Sequence, residues 1–149
     1  MRDEINEKLK TAQKARDTHA VSTLRLINTA IKDRDIAKRG KGQDPVDEAE
    51  IGEILAKMIK QRKESARIYE EANRLDLAEQ ERREIEIIED FLPEQLGEDD
   101  LRDACKQAIQ ESEAQGLRDM GKCMGVLKKR YAGRMDFSKA SGEVKRMLQ

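Results

Sequence analysis

The chain has 149 residues, 41 % charged and 37 % apolar, with 30 basic against 31 acidic side chains and a net charge of -1. That length suits one domain or two small ones, and no run approaches the ~20 apolar residues that span a membrane. Met1-Arg2-Asp3-Glu4 leads into no apolar stretch of a secretory signal, and its acids are foreign to a transit peptide.

Abundant Glu, Lys, Arg, Ala, Leu and Gln, two prolines and sparse β-branched runs predict an all-α chain with solvated helical faces over thin cores. A first helix is expected from about Asp3 to Arg16 on a stripe of Ile5, Leu9 and Ala12, and a second from Thr18 to Lys38 on Val21, Leu24, Ile27 and Ile31. Arg39-Gly40-Lys41-Gly42 breaks the pattern. Asp44 with Pro45 predicts the start of a third helix, Val46 to Ala72, with Ile51, Leu55, Met58, Tyr69 and Ala72 inward. Asn73 can close it, and Asp76 with Glu79 forms a capping-box pattern for a fourth that runs to Phe91 on Leu77, Ile85, Ile88 and Leu92.

Leu92-Pro93 halts that helix, and a subdomain boundary is expected there. Gly97 then opens a fifth helix, with Leu101, Ala104, Cys105, Ala108 and Ile109 inward, ending at Gly116. Asp119 is expected to cap a sixth, Met120 to Tyr131, closed by Gly133, and Asp136 a seventh, Phe137 to Leu148. The expectation is therefore a four-helix bundle over 1–92 and a three-helix bundle over 93–149.

No self-sufficient catalytic constellation stands out. There is no glycine-rich phosphate loop after a strand, no Gly-x-Ser-x-Gly, no His-Glu-x-x-His and no Cys-x-x-Cys. Cys105 and Cys123 lie on apolar stripes without metal spacing and read as core residues of a reducing cytoplasm; His19 stands alone. No cofactor or metal is expected. Arg62 interrupts the apolar stripe of the third helix, and Glu81 and Glu84 occupy comparable places on the fourth, so a structural ion pair between helices is the expectation. The sharper alternative is an arginine poised for a substrate carboxylate or phosphate.

Charge is locally polarised. From Pro93 to Gly116 there are 2 basic and 7 acidic residues; from Leu117 to Gln149 there are 9 basic and 3 acidic. On the sixth helix Met120, Cys123, Met124, Leu127 and Tyr131 share one arc, while Arg118, Lys122, Gly125 and Lys129 share the other with Gly121 at its edge. A helix start with small residues, lysines and free amides suits a phosphate group. With two Tyr, two Phe and no Trp, all on apolar stripes, an RNA partner would be held by backbone and shape.

Gln61-Arg62-Lys63-Glu64-Ser65, Phe91-Leu92-Pro93-Glu94-Gln95-Leu96, Asp119-Met120-Gly121-Lys122-Cys123-Met124-Gly125 and Gly133-Arg134-Met135-Asp136 together resemble the GatB/YqeY family. That family comprises small stand-alone bacterial proteins and the C-terminal tail of the B subunit of the glutamine-dependent Asp/Glu-tRNA amidotransferase. The resemblance implies a four-helix then a three-helix bundle and an association with tRNA amidation, the tail helping to hold the tRNA body. Gly121, Lys122, Gly125, Gly133 and Arg134 match its tRNA-facing motif. The family is also labelled carbon–nitrogen ligase with glutamine as amido donor, although that chemistry belongs to other domains of the amidotransferase. The expectation is a tRNA-binding module, alone or with an amidotransferase-like partner; the alternatives are a ligase proper or a helical protein adaptor. Cys123 replaces an aliphatic residue of the family, and Phe137 a glycine or proline, where a ring either buries against the bundle or obstructs a ligand.

Overall fold

A computed structural model describes residues 1–149 and contains seven α-helices and no strand: α1 Arg2–Lys14, α2 Thr18–Gly40, α3 Glu48–Glu71, α4 Leu75–Glu89, α5 Glu98–Glu111, α6 Met120–Arg130 and α7 Phe137–Leu148. A single 3-10 turn, Leu117–Asp119, runs directly into α6. The chain divides into two compact units, Met1–Leu92 and Pro93–Gln149.

In the first unit α1 packs on α2, and α4 packs on both α2 and α3. Ile5, Leu24, Ile27, Ile51, Leu55 and Ile88 are fully buried at its centre. These residues recur at helical spacing, so each amphipathic stripe finds its partner by burying apolar area at roughly 25 cal/mol per Å². Ala72, expected on the inner stripe of α3, is exposed instead, because the helix ends there; Ile54, Ile59 and Ala66 add to the buried side.

Three helix starts differ from expectation for physical reasons. The start of α3 falls to Asp47, whose carboxylate accepts from Glu50 N, rather than to Asp44. Val46 is held outside the helix because its N–H donates to Asp35 Oδ1 at 2.8 Å and its carbonyl accepts from Arg2 at 3.0 Å. Between α3 and α4, Asn73 takes the left-handed conformation (φ 59°), and Arg74, not Asp76, precedes the first helical residue. Asp76 therefore lies inside the first turn and pairs with Arg74. Asp119 makes no capping bond to α6; its Oδ2 accepts from Gln115 N at 3.0 Å, while Met120 N–H is taken by Leu117 O of the 3-10 turn.

The fifth helix also stops early, at Glu111 rather than Gly116. Ser112 Oγ bonds back to Ala108 O at 2.7 Å, a local competitor of helix propagation, and Glu113 takes φ 54° to close the end. In this second unit α5, α6 and α7 pack pairwise around Cys105, Ala108, Cys123, Leu127, Ala140 and Val144.

Arg62 is half-buried between α3 and α4, donating from Nε to Glu84 Oε2 at 3.0 Å and from Nη1 to Met58 O at 3.2 Å. Glu81 makes no such bond; burial, then the Glu84 charge, raises its carboxyl above the usual range against the pull of Arg62. With the paired side chains only 13 % and 16 % exposed, removing the guanidinium strands Glu84 beside Glu81. Arg62→Ala should cost about 1–3 kcal/mol in denaturant unfolding, with Arg62→Lys recovering part of it.

Asp35, which grips Arg2 through two bonds and Val46 through a third, has its carboxyl lowered to about 2, chiefly by Arg2 and then by the Val46 amide. A depressed carboxylate stabilises the fold above its ordinary value of 3.8 and loses that contribution as pH falls towards 2. Asp35→Asn should therefore flatten the fall in melting temperature between those pH values and lower the plateau above them.

Candidate nucleic-acid interface

The basic C-terminal stretch is less uniformly positive in space than in sequence. Arg130 forks onto Glu111 of α5, with Nη1–Oε1 at 3.0 Å and Nη2–Oε2 at 2.7 Å. The guanidinium holds the Glu111 carboxyl below its usual range, and the pair ties α6 to α5. Arg146 pairs with Glu143 one turn earlier on α7. What remains exposed and engaged by no carboxylate is Arg118, Lys128, Lys129, Lys139 and Lys145; Lys122 stands at 4.0 Å from Asp119, 72 % exposed.

Arg118, Gly121, Lys122, Gly125 and Lys129 are all exposed along the outer side of the 3-10 turn and α6. A Cβ built on Gly121 or Gly125 meets nothing within 4 Å. The two glycines therefore admit no neighbouring helix; they leave a strip of bare backbone between cations. The opposite arc holds α6 in place, with Cys123 and Leu127 fully buried and Met120, Met124 and Tyr131 packed against the same core. The helix start itself is less open than its residue types suggest, because the 3-10 turn leads into it and Met120 N–H is satisfied. Any anion here would meet the flank of α6, not free amides at its end.

Arg134, in the loop after α6, is half-buried and already engaged. Its Nε donates to Glu94 O at 3.2 Å, its guanidinium lies 5.9 Å from the Tyr131 ring centre, and its carbonyl accepts from Leu96 N at 2.8 Å. Gly133 is buried with φ 75°, a left-handed turn that favours glycine, and its carbonyl accepts from Gln95 Nε2 at 2.6 Å. The segment Glu94-Gln95-Leu96 thus straps the loop between α6 and α7, and Arg134 serves that strap. Sequence reasoning missed this pairing; it joins residues some forty positions apart. Phe137 is half-buried against the core of the same unit, and Asp136 caps α7 through Ser138 N at 2.9 Å.

The thiols offer no nucleophile. Cys105 and Cys123 are buried and free, and burial pushes the Cys105 thiol up, with Glu143 and Cys123 adding to it. Cys105 Sγ lies 3.7 Å from Ala140 O, and Cys123 Sγ lies 3.2 Å from Ser112 Oγ. His19, half-buried on α2, leaves its Nε2 buried without a partner. Among the aromatics Phe91 is buried, while Tyr69, Tyr131 and Phe137 are half-buried, so no stack of exposed rings is available to bases.

Fold and surface together define a strand-free protein of two helical units with a cationic, glycine-bared helix flank on the second. The profile of the family described as Yqey-like protein matches residues 2–148, and the chain belongs to that family. It is 36 % identical over 88 residues to the Altered inheritance of mitochondria protein 41 of Lachancea thermotolerans, covering 59 % of this chain and 46 % of that protein. The protein of the same name in Kluyveromyces lactis is 28 % identical over 142 residues, covering 95 % of this chain and 72 % of its own. An uncharacterized protein of Schizosaccharomyces pombe is 34 % identical over 91 residues, covering 60 % of this chain and 70 % of its own. The chain spans about half the length of the Lachancea protein. The names of the first two assign those proteins to mitochondria; no helix of the present chain is long and apolar enough to cross a membrane.

A glycine in an exposed helix interior with open space around it gives up about 0.5–1 kcal/mol relative to alanine. Gly125→Ala should accordingly raise the thermal midpoint of the second unit's unfolding, and Gly121→Ala should act in the same direction; a fall in either would show that hidden packing needs the missing side chain.

Proposed function

We propose that this protein holds RNA: the α6 flank of the C-terminal unit takes the phosphate backbone of tRNA or another folded RNA. Its work is associated with glutamine-dependent tRNA amidation beside an amidotransferase-like partner, a carbon–nitrogen ligase that carries the chemistry. The observation that carries the reading is the coincidence, on one exposed side, of Arg118, Lys122 and Lys129 with two glycines whose missing side chains nothing fills. Lysine and arginine neutralise phosphates and release their counterions, and bare backbone lets a phosphate approach more closely than a side chain would. Aromatics that are buried or half-buried favour contact with backbone and shape over base stacking. Glu111 removes Arg130 from the free cations, whereas Arg118 and Lys129 on the flank hold no carboxylate. Membership of the Yqey-like family supports the association with tRNA amidation through the resemblance to the amidotransferase tail.

The setting is a reducing compartment, which two free buried thiols suit. We place the chain in the cytoplasm; the mitochondrial names of the yeast proteins extend the same reading to an organelle with its own translation.

The triple variant Arg118→Glu, Lys122→Glu and Lys129→Glu should abolish retention of tRNA at low salt while circular dichroism stays unchanged, since all three side chains are exposed. For the unaltered protein, affinity should fall steeply with salt, with a log–log slope of about -0.7 to -0.9 per phosphate engaged. Full retention by the folded triple variant overturns the proposal. Release of glutamate from glutamine by the purified chain, with ATP consumed, would instead assign the ligase reaction to the chain itself.

A further inference from the structure

The N-terminal unit carries a second feature that the RNA reading does not use. Between the end of α1 and the outer side of α2 lies an open groove of about 650 Å³, with Gln13, Arg16, Val21, Arg25, Leu26 and Thr29 in its lining. Leu26 is 48 % exposed, and Ile36, two to three turns further along α2, is 63 % exposed. At ~100° per residue Ser22, Leu26, Thr29, Asp33 and Ile36 share one face, and ten residues of helix set Leu26 and Ile36 about 15 Å apart. Arg25 and Lys32, seven residues apart, run along one flank of that apolar line. The alternating spacing of four and three is that of a helical seam, on which Leu26 and Ile36 are apolar, Ser22 and Thr29 are neutral, and Asp33 sets one carboxylate next to the Ile36 end.

The charges are the informative part. Arg16 and Arg25 line the groove and Lys32 follows one helical repeat beyond; all three are exposed and hold no carboxylate, and the lining itself contains no acid. Arg16 adopts φ 56° to end α1, a conformation that asparagine or glycine takes with less strain. An arginine there is not the best choice for the turn; it sets a guanidinium at the mouth of the groove. A phosphodiester chain has nothing to gain from the exposed Leu26 and Ile36, whereas a helix with large apolar anchors and carboxylates beside them satisfies both features at once.

We propose that the outer α1–α2 face is a docking groove for an acidic amphipathic helix of a protein partner. The partner's apolar residues cover Leu26 and Ile36, and its carboxylates engage Arg16, Arg25 and Lys32. The groove stands independently of the α6 flank, so the one site fails or holds without the other.

The test uses the full-length chain, isotopically labelled for amide spectroscopy, and a fluorescent synthetic helix of about 18 residues, or five turns, with leucines spaced three and four apart and glutamates beside them. A control peptide has lysine for every glutamate. The acidic peptide should bind and shift amides between Val21 and Ile36, and the lysine peptide should not. Arg16→Asn combined with Arg25→Gln should weaken binding about tenfold or more, the equivalent of about 1.4 kcal/mol, without lowering the melting temperature, because asparagine suits the left-handed turn. Leu26→Ser, exposed and outside both cores, should weaken it independently, and neither variant should alter retention of tRNA. No binding, equal binding of the two peptides, shifts confined to other helices, unchanged affinity in the variants, or self-association of the chain through these residues would each overturn the proposal.

Discussion

Arg2 forks onto Asp35 across thirty-three residues of sequence, and both reach the backbone of Val46. This one clamp ties the start of α1 to the body of α2 and to the segment that feeds α3. It satisfies a backbone N–H and a carbonyl that helix formation would otherwise have used. The rest of the N-terminal unit depends on it because the core is thin: six large side chains are fully buried there, and charged residues occupy two-fifths of the whole chain. A thin core gives cohesion but tolerates sliding of one helix on another, and directional bonds to fixed positions remove that freedom. Arg62 with Glu84 does the same between α3 and α4, and Lys38 with Glu50 between α2 and α3.

The C-terminal unit uses a different device for the same end. Here every acceptor is a backbone carbonyl: Leu96 N donates to Arg134 O, Gln95 Nε2 to Gly133 O, and the Arg134 guanidinium to Glu94 O. The segment following Leu92 is thereby bound to the loop that turns α6 into α7. That loop fixes which way α6 faces, and the facing of α6 decides which lysines meet solvent. Two of the motifs that carry the family resemblance are therefore halves of one strap, which accounts for their joint presence without assigning either to ligand contact.

Electrostatics then selects among the cations. Sequence from Leu117 onward counts nine basic residues, yet Arg130, Arg134 and Arg146 are committed to Glu111, to the Glu94 carbonyl with the Tyr131 ring, and to Glu143. What survives is a narrower set centred on α6. In the N-terminal unit Arg16, Arg25 and Lys32 are among the exposed cations that no carboxylate engages, and they stand beside exposed apolar side chains. In a nearly neutral, highly charged protein, the unpaired charges mark surfaces better than net charge does.

Helical periodicity is a local property, repeated every few residues, so the number and type of elements and the inward residues Ile5, Leu24, Ile27, Leu55, Ile88, Cys123 and Leu127 were readable from the amino-acid order alone, as was Yqey-like membership. The exposed arc of α6 was readable for the same reason, because residues on one helix keep their angular relation in any packing. The ends of helices were not: Asp47 replaced Asp44, Glu113 ended α5 ahead of Gly116, and the 3-10 turn occupied the entrance to α6, each decided by a partner such as Asp35, Arg2 or Gln115 that competes for the same backbone groups. Nor could the order of residues assign Arg134 to a strap, Glu84 rather than Glu81 to Arg62, or Glu111 to Arg130. A charge chooses its partner by distance through space, and those distances exist only once helices far apart in sequence have packed.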